Sequence, residues 1–225
     1  MSGRRRAMLG AARRVLAAVA VVVLVSGCGA AQKSSGTTQT SAGTTQAPTR
    51  TGAAQTSAYA YWANDNANTI GRANLDGSNA NQSLIAGAKS PEGVAVDGQH
   101  VYWANQGGTT IGRANLDGSG ANESFITGAD SPEGVAVVAR HIYWANFGRD
   151  TIGRANLDGS NANQSFIKAG MHPWGLTVDR QHVYWANNLD TAVGRANLDG
   201  TGANQSFIAG ATAPVGVAVE PPAPH

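Results

Sequence analysis

The sequence predicts an all-β fold of four repeated four-stranded units, and three observations predict it. Tyr61-Trp62-Ala63-Asn64 returns at Tyr102, Tyr143 and Tyr184 at a constant interval of 41 residues. Each period holds four short β-type runs, such as Gly93 to Val96, His100 to Ala104, Thr110 to Leu116 and Glu123 to Ile126, separated by Gly, Asn, Asp and Pro. Nowhere in the repeats is there the apolar stripe of about 3.6 residues that marks an amphipathic helix. Four strands per period make one blade of a β-propeller, so residues 58–220 are expected to form four four-stranded blades.

Residues 1–27 stand apart from the repeats. A basic stretch (Arg4, Arg5, Arg6, then Arg13 and Arg14) precedes an apolar run from Val15 to Val25 and the small residues Ser26 and Gly27, the order of a secretory signal. The run is too short for a membrane span of about 20 residues. It ends in Val25-Ser26-Gly27-Cys28, which resembles the bacterial lipobox cut before its cysteine, so Cys28 is expected to become a lipidated N-terminus. Cys28 is the one cysteine of the sequence, which leaves it no disulfide partner within the chain. A diacylated cysteine satisfies the two-chain rule for stable anchoring. The mature protein is therefore expected outside the cytoplasm, lipid-anchored to the bacterial cell membrane.

Residues 28–57 are rich in Ser, Thr, Gln, Ala and Gly, with almost no large apolar side chain, and cannot bury enough surface to offset chain entropy. They read as a tether with a reach of about 30 Å. Residues 221–225 form a short tail. Removal of 1–27 takes away five arginines and no acid, so the formal charge falls from +2 to −3. No stripe of Lys or Arg remains to neutralise phosphates, which excludes nucleic acid as a partner.

Within each repeat, Ile-Gly-Arg-Ala-Asn-Leu-Asp-Gly starts at Ile70, Ile111 and Ile152, with Val193 opening the fourth copy. Asn-Gln/Glu-Ser-Leu/Phe-Ile and Pro-x-Gly-Val/Leu-x-Val follow. The Asp-Gly pairs at Asp76, Asp117, Asp158 and Asp199 predict a tight hairpin in which both residues take positive φ. The first repeat begins at its second strand (Tyr59 to Ala63) and the last segment, Gly216 to Val219, supplies a first strand. The inventory thus permits closure by pairing of the terminal strands, giving a monomer with no free edge. The alternative is an open four-blade arc that joins a second copy into an eight-blade ring.

The Tyr-Trp-Ala-Asn, Ile-Gly-Arg-Ala-Asn-Leu-Asp-Gly-Ser and Pro-Glu-Gly-Val-Ala-Val-Asp segments together resemble the YWTD, or class B, repeats of the low-density-lipoprotein receptor family. The resemblance covers roughly residues 59 to 219. It implies a propeller, although that family's propellers have six blades. The family's motif Asp is replaced here by Asn64, Asn105, Asn146 and Asn187, so any ion pair it makes there becomes at most a neutral hydrogen bond.

Residues identical in every copy sit at equivalent, well-separated places around a ring and read as scaffold. Trp62, Trp103, Trp144 and Trp185 are expected to pack between blades, and Arg72, Arg113, Arg154 and Arg195 to bond carbonyls or the Asn of a neighbouring blade. His100, His141 and His182 lie too far apart by symmetry for one zinc ion. Asn81, Asn122, Asn163 and Asn204, although in Asn-x-Ser sequons, read as strand starts.

Departures from repetition are the candidate function. They fall in the loops between second and third strands and in those entering the next first strand. One set stands out: Phe147, Arg149, Asp150, Met171, His172 and Trp174 bring aromatic, cationic and anionic groups together, and Trp, Phe and Arg are typical interface anchors. This set predicts a non-catalytic site for a protein or carbohydrate ligand, with no cofactor. The competing reading is a lactonase- or lyase-like propeller enzyme, with calcium held near the axis by Glu92 and Glu133, equivalent residues of adjacent blades. A third reading is a polar scaffold disc without a dedicated pocket.

If Cys28 is the anchor, radiolabelled palmitate fed to expressing cells will label the chain, and Cys28→Ala will lose both the label and retention in the membrane fraction. Retention of that variant after a carbonate wash would refute the lipid anchor.

Overall fold

In every repeat one tryptophan lies across one glycine of the neighbouring strand. Trp62, Trp103, Trp144 and Trp185 are the cross-strand partners of Gly71, Gly112, Gly153 and Gly194. A side chain at any of these glycines would overlap the indole. The flat ring fills the space that glycine leaves vacant, which pins the register of the two central strands.

The computed structural model describes residues 58–220. These form fifteen strands in four antiparallel sheets. Blade 1 has three strands, β1 (Tyr59–Asn64), β2 (Thr69–Asn74) and β3 (Asn81–Ala86). Blade 2 has four, β4 (Pro91–Val96), β5 (His100–Asn105), β6 (Thr110–Asn115) and β7 (Asn122–Thr127). Blade 3 comprises β8 (Pro132–Val138), β9 (His141–Asn146), β10 (Thr151–Asn156) and β11 (Asn163–Lys168). Blade 4 comprises β12 (Pro173–Val178), β13 (His182–Asn187), β14 (Ala192–Asn197) and β15 (Asn204–Ala209). Cys28, the signal and the whole tether lie outside the described residues, as does the tail.

The motif asparagine is a junction. Asn146 is fully buried; its amide donates to Thr151 Oγ1 (3.3 Å) and to the Gln164 carbonyl (2.8 Å), while its Oδ1 accepts the Asp130 N–H (3.0 Å). Asn105 does the same with Thr110, Glu123 and Lys89. A carboxylate could not donate these bonds, so Asn here joins three strands through neutral hydrogen bonds.

The expected two-residue Asp-Gly hairpin is corrected by the structure. The connection from β2 to β3 has six residues, 75–80, and its left-handed positions are Gly77 (φ 81°) and Asn79 (φ 53°), not Asp76. Asp76 is fixed instead by its side chain, whose Oδ1 accepts the Ser78 N–H (2.9 Å) and hydroxyl (2.6 Å). An Asp that closes an Asx turn on the residue two places on does not need the positive φ of a type I′ turn. Asn81, Asn122, Asn163 and Asn204 do open strands, each accepting the N–H two residues on.

Adjacent blades pack by one repeated contact. One face of blade 3, with Tyr143, Ile152 and Ile167, meets the face of blade 4 that carries Val183, Trp185 and Ala196. Blades 1 and 2, and blades 2 and 3, meet in the same way. Arg72, Arg113 and Arg154 each reach across to the carbonyl of the next blade, at Leu116, Leu157 and Leu198 (2.8, 3.2 and 3.2 Å). Each guanidinium also covers an aromatic ring of its own blade, at 3.8 Å for Arg154 over Phe166.

The first strands stand side by side in the order β4, β8, β12, with residues 215–218 next in the row. A Cβ on Gly93 would lie 2.6 Å from the Glu133 carbonyl, and one on Gly175 would lie 2.6 Å from the Val215 carbonyl. Glycine is required there because backbones touch. The closure expected from pairing of the terminal strands is not found. Among the described residues, 211–219 form no strand, β1 pairs with β2 alone, and a Cβ placed on Gly216 would meet nothing within 4 Å.

Gly153→Ala will press a methyl group into the Trp144 ring and destabilise the domain by about 2 kcal/mol, the usual scale for overpacking, read from the urea midpoint. A second expectation concerns acid. Hydrogen bonds from the Ser78 hydroxyl and amide hold the Asp76 carboxyl below its ordinary range, and Asp117, Asp158 and Asp199 are lowered in the same way. A depressed folded-state pKa adds stability above the unfolded value, of about 3.9, that is lost as pH falls through the folded one. Tm will therefore fall between about pH 4 and pH 2, and will fall less when all four residues are changed to Asn, which keeps the acceptor and does not titrate.

Candidate functional site

Each second strand turns into the third through four residues, and the last takes a left-handed conformation without being glycine: Asn68, Thr109, Asp150 and Thr191 (φ 53° to 56°). The loops entering β4, β8 and β12 do the same at Ser90, Ser131 and His172. A non-glycine residue in this region costs about 1 kcal/mol, and hydrogen bonds hold the strained geometry. The Asp150 carboxylate accepts the His172 N–H (2.8 Å), just as Asn68 Oδ1 accepts that of Ser90 (2.8 Å). Asp150 is thus the clamp of two loops as well as a charge.

With these loops fixed, the residues singled out by their departure from repetition come together at the junction of blades 3 and 4. Phe147 and His172 face each other with ring centroids 4.1 Å apart and planes inclined by 31°. Trp174 meets the edge of Phe147 at 5.6 Å and 82°. Met171 is exposed beside them, its N–H held by Asp190 Oδ2 at 2.5 Å. Arg149 pairs with Asp130, Nε to Oδ2 at 3.2 Å, with the two side chains 48% and 39% exposed. Such an exposed pair adds little stability and is open to exchange for a ligand's charges.

Trp174 also lines a groove of about 490 Å³ formed by β4, β8, β12 and residues 215–218. Its walls are apolar, with Val94, Val135, Leu176 and Val217 among them. The rim positions are Glu92, Glu133, Trp174 and Val215, the second residue of each first-strand segment. Glu133 is buried and its Oε1 accepts a hydrogen bond from Gln106 Nε2 (2.8 Å). The calcium reading thus has two carboxylates on one side of the rim, with Trp174 and Val215 opposite offering no oxygen ligand from their side chains. Among the described residues no group of three or more His, Cys, Asp and Glu is arranged to hold a metal ion.

Of the repeated residues, Trp103, Trp144 and Trp185 are fully buried between blades. The indole N–H of Trp144 donates to Gln164 Oε1 (2.9 Å) and that of Trp103 to Glu123 Oε2 (3.0 Å). His100 and His182 sit beside Asp97 and Asp179 at 3.6 and 3.5 Å, each in its own blade. Asp130, Gln106 and Asp190 were not singled out by sequence, yet they fix Arg149, Glu133 and the Met171 backbone. Asp130 had a readable signal, a charge opposite to Arg149 in the neighbouring variable loop. Gln106 and Asp190 had none, since their partners depend on how blades are stacked.

The geometry defines a β-propeller of YWTD-type blades. Residues 140–180, one full period, match the family described as Low-density lipoprotein receptor repeat class B. No curated protein matches the chain. Among solved structures it is similar to a virginiamycin B lyase from Staphylococcus aureus, at 18% identity and a TM-score of 0.57 over 73% of this chain and 57% of that one. A streptogramin B lyase gives 19% identity and a TM-score of 0.57 over 70% and 54%. A chain of a nidogen–laminin complex gives 21% identity and a TM-score of 0.47 over 62% and 72%. These are likenesses of fold, and the chain spans little more than half the length of the two lyases.

Proposed function

We propose that this propeller is a non-catalytic binding module, held at the outer face of the bacterial membrane by a lipid on Cys28. Its ligand is a protein segment or a carbohydrate taken at the junction of blades 3 and 4. The observation that carries the reading is the Phe147–His172–Trp174 cluster, which stands at one junction only, beside an exposed Asp130–Arg149 pair and the mouth of an apolar groove. Stacked, half-buried aromatic rings offer large apolar area at little entropic cost, and a neighbouring charge pair fixes orientation. The repeated positions elsewhere in the ring offer no such combination: the residues equivalent to Phe147 are Asp65, Gln106 and Asn188.

The lactonase- or lyase-like alternative gains no residue from the likeness to lyases, which is one of fold. It would need a metal near the axis, and only two of the four rim positions carry a carboxylate.

The test uses the mature chain displayed on vesicles and probed with envelope extract and with a panel of bacterial glycans. Arg149→Ala with Trp174→Ala is expected to lower retention of the bound species at least tenfold while the urea midpoint stays within experimental error. A double variant that binds as the parent does, or a parent that retains neither class, would overturn the reading.

A further inference from the structure

We infer that two copies of this chain join head to tail into one eight-blade ring, each completing the other's three-stranded blade. The inference rests on packing alone and is independent of the binding site proposed above.

The blade-to-blade interface occurs three times within the chain, and its two halves stand uncovered at the ends of the arc. Ile85, Ile126 and Ile167 are each 2% exposed beneath the following blade, whereas the equivalent Ile208 of blade 4 is 52% exposed. Phe125 and Phe166 are half-buried and Phe207 is exposed. On the opposite face, Trp103, Trp144 and Trp185 are fully buried against the preceding blade, and Trp62 is only half-buried. The carbonyls of Leu116, Leu157 and Leu198 receive the arginine of the preceding blade, while Leu75, the corresponding residue of blade 1, lies 54% exposed. These are one lock and one key, already fitted together three times in the same molecule.

The occupant that fits both ends is therefore a second copy. Its blade 1 would cover Ile208 and Phe207, with Leu75 offering its carbonyl to Arg195. Gln82 would reach the Ala209 carbonyl, as Gln164 and Gln205 reach those of Thr127 and Lys168. Residues 214–219 already lie beside β12 in the place of the next blade's first strand. They form no strand, and among the described residues no strand pairs with the second edge of β1. Transferring the register of β4 on β5, with β4 moved three periods forward and β5 one period back, puts Val217 opposite Trp62 and Val219 opposite Ala60 of the other copy. Each chain then lends one strand and receives one, which makes eight four-stranded blades with no open edge. Two copies give a closed two-fold assembly with both interfaces identical.

The experiment places cysteines at the transferred register, Ala60→Cys with Val219→Cys, in the full chain in isolated membranes. Directly opposed strand residues are within disulfide reach. Mild oxidation is expected to give a species of twice the chain mass on a non-reducing gel, with either single variant remaining at single mass. Ile208→Glu added to the pair should abolish the linked dimer while the chain stays folded by circular dichroism, since that side chain is exposed in one copy. An internal disulfide at single mass would show closure within the chain, and absence of any disulfide would show an open arc; either overturns the inference, as would products of three or more chains.

Discussion

The overlap of one indole with one glycine is the contact on which the domain depends. A sequence with many Gly and Ala residues and few large side chains has little apolar area to bury, and the four motif tryptophans supply much of what there is. Lying flat over glycine, Trp103, Trp144 and Trp185 each present the other face to the preceding blade, so the same ring fixes the register within a sheet and the spacing between sheets. Tyr, Ile and the arginine bridge then follow at positions set by that spacing. The motif asparagine performs the matching task in the backbone, tying the end of the second strand to the fourth strand and to the incoming loop with neutral hydrogen bonds. Neither device depends on net charge.

Features written four times were legible in the sequence; features written once were legible only as exceptions. The strands, their boundaries to within about two residues, the arginine-to-carbonyl bridge and the inter-blade tryptophans all follow from periodicity. The hairpin was misread because Asp-Gly has two solutions: a type I′ turn with both residues at positive φ, and an Asx turn in which the Asp side chain replaces one backbone bond. Ser78 decides between them by offering both an N–H and a hydroxyl to Asp76. Ring closure, expected and not found, was less legible for a different reason. Strand inventory counts partners and says nothing of the angle between blades, which is a property of side-chain volume at an interface and is not local in sequence. Phe147, His172 and Trp174 could be named as a set from their departure from repetition, but their stacking depended on the left-handed Asp150 and His172 backbones, which period counting cannot reveal.

Repetition and asymmetry divide the molecule's tasks between them. The first-strand glycines bring backbones into contact, so the groove wall is dense and apolar and leaves no room for variation. Chemical variety is confined to the loops at one end of that wall, where a changed side chain alters the surface without altering the step between blades. The Asp150–His172 hydrogen bond shows how the two are joined: a clamp made by Asn68 Oδ1 on the Ser90 N–H is made here by the Asp150 carboxylate on the His172 N–H, so the scaffold contact survives while the side chains beside it change.

The same division explains why the ends of the arc matter more than an ordinary exposed surface. In a protein with a unique fold, an uncovered isoleucine says only that apolar area faces water. In a repeat protein each internal interface is a worked example of how the equivalent surfaces fit, residue by residue. Ile208, Phe207 and Arg195 on one end, and Trp62 and the Leu75 carbonyl on the other, are therefore the counterparts of residues that meet at each internal interface. Closing the arc would place the four-strand groove opposite its own copy, and a ligand entering at the junction of blades 3 and 4 would then meet two equivalent sites facing each other across one channel.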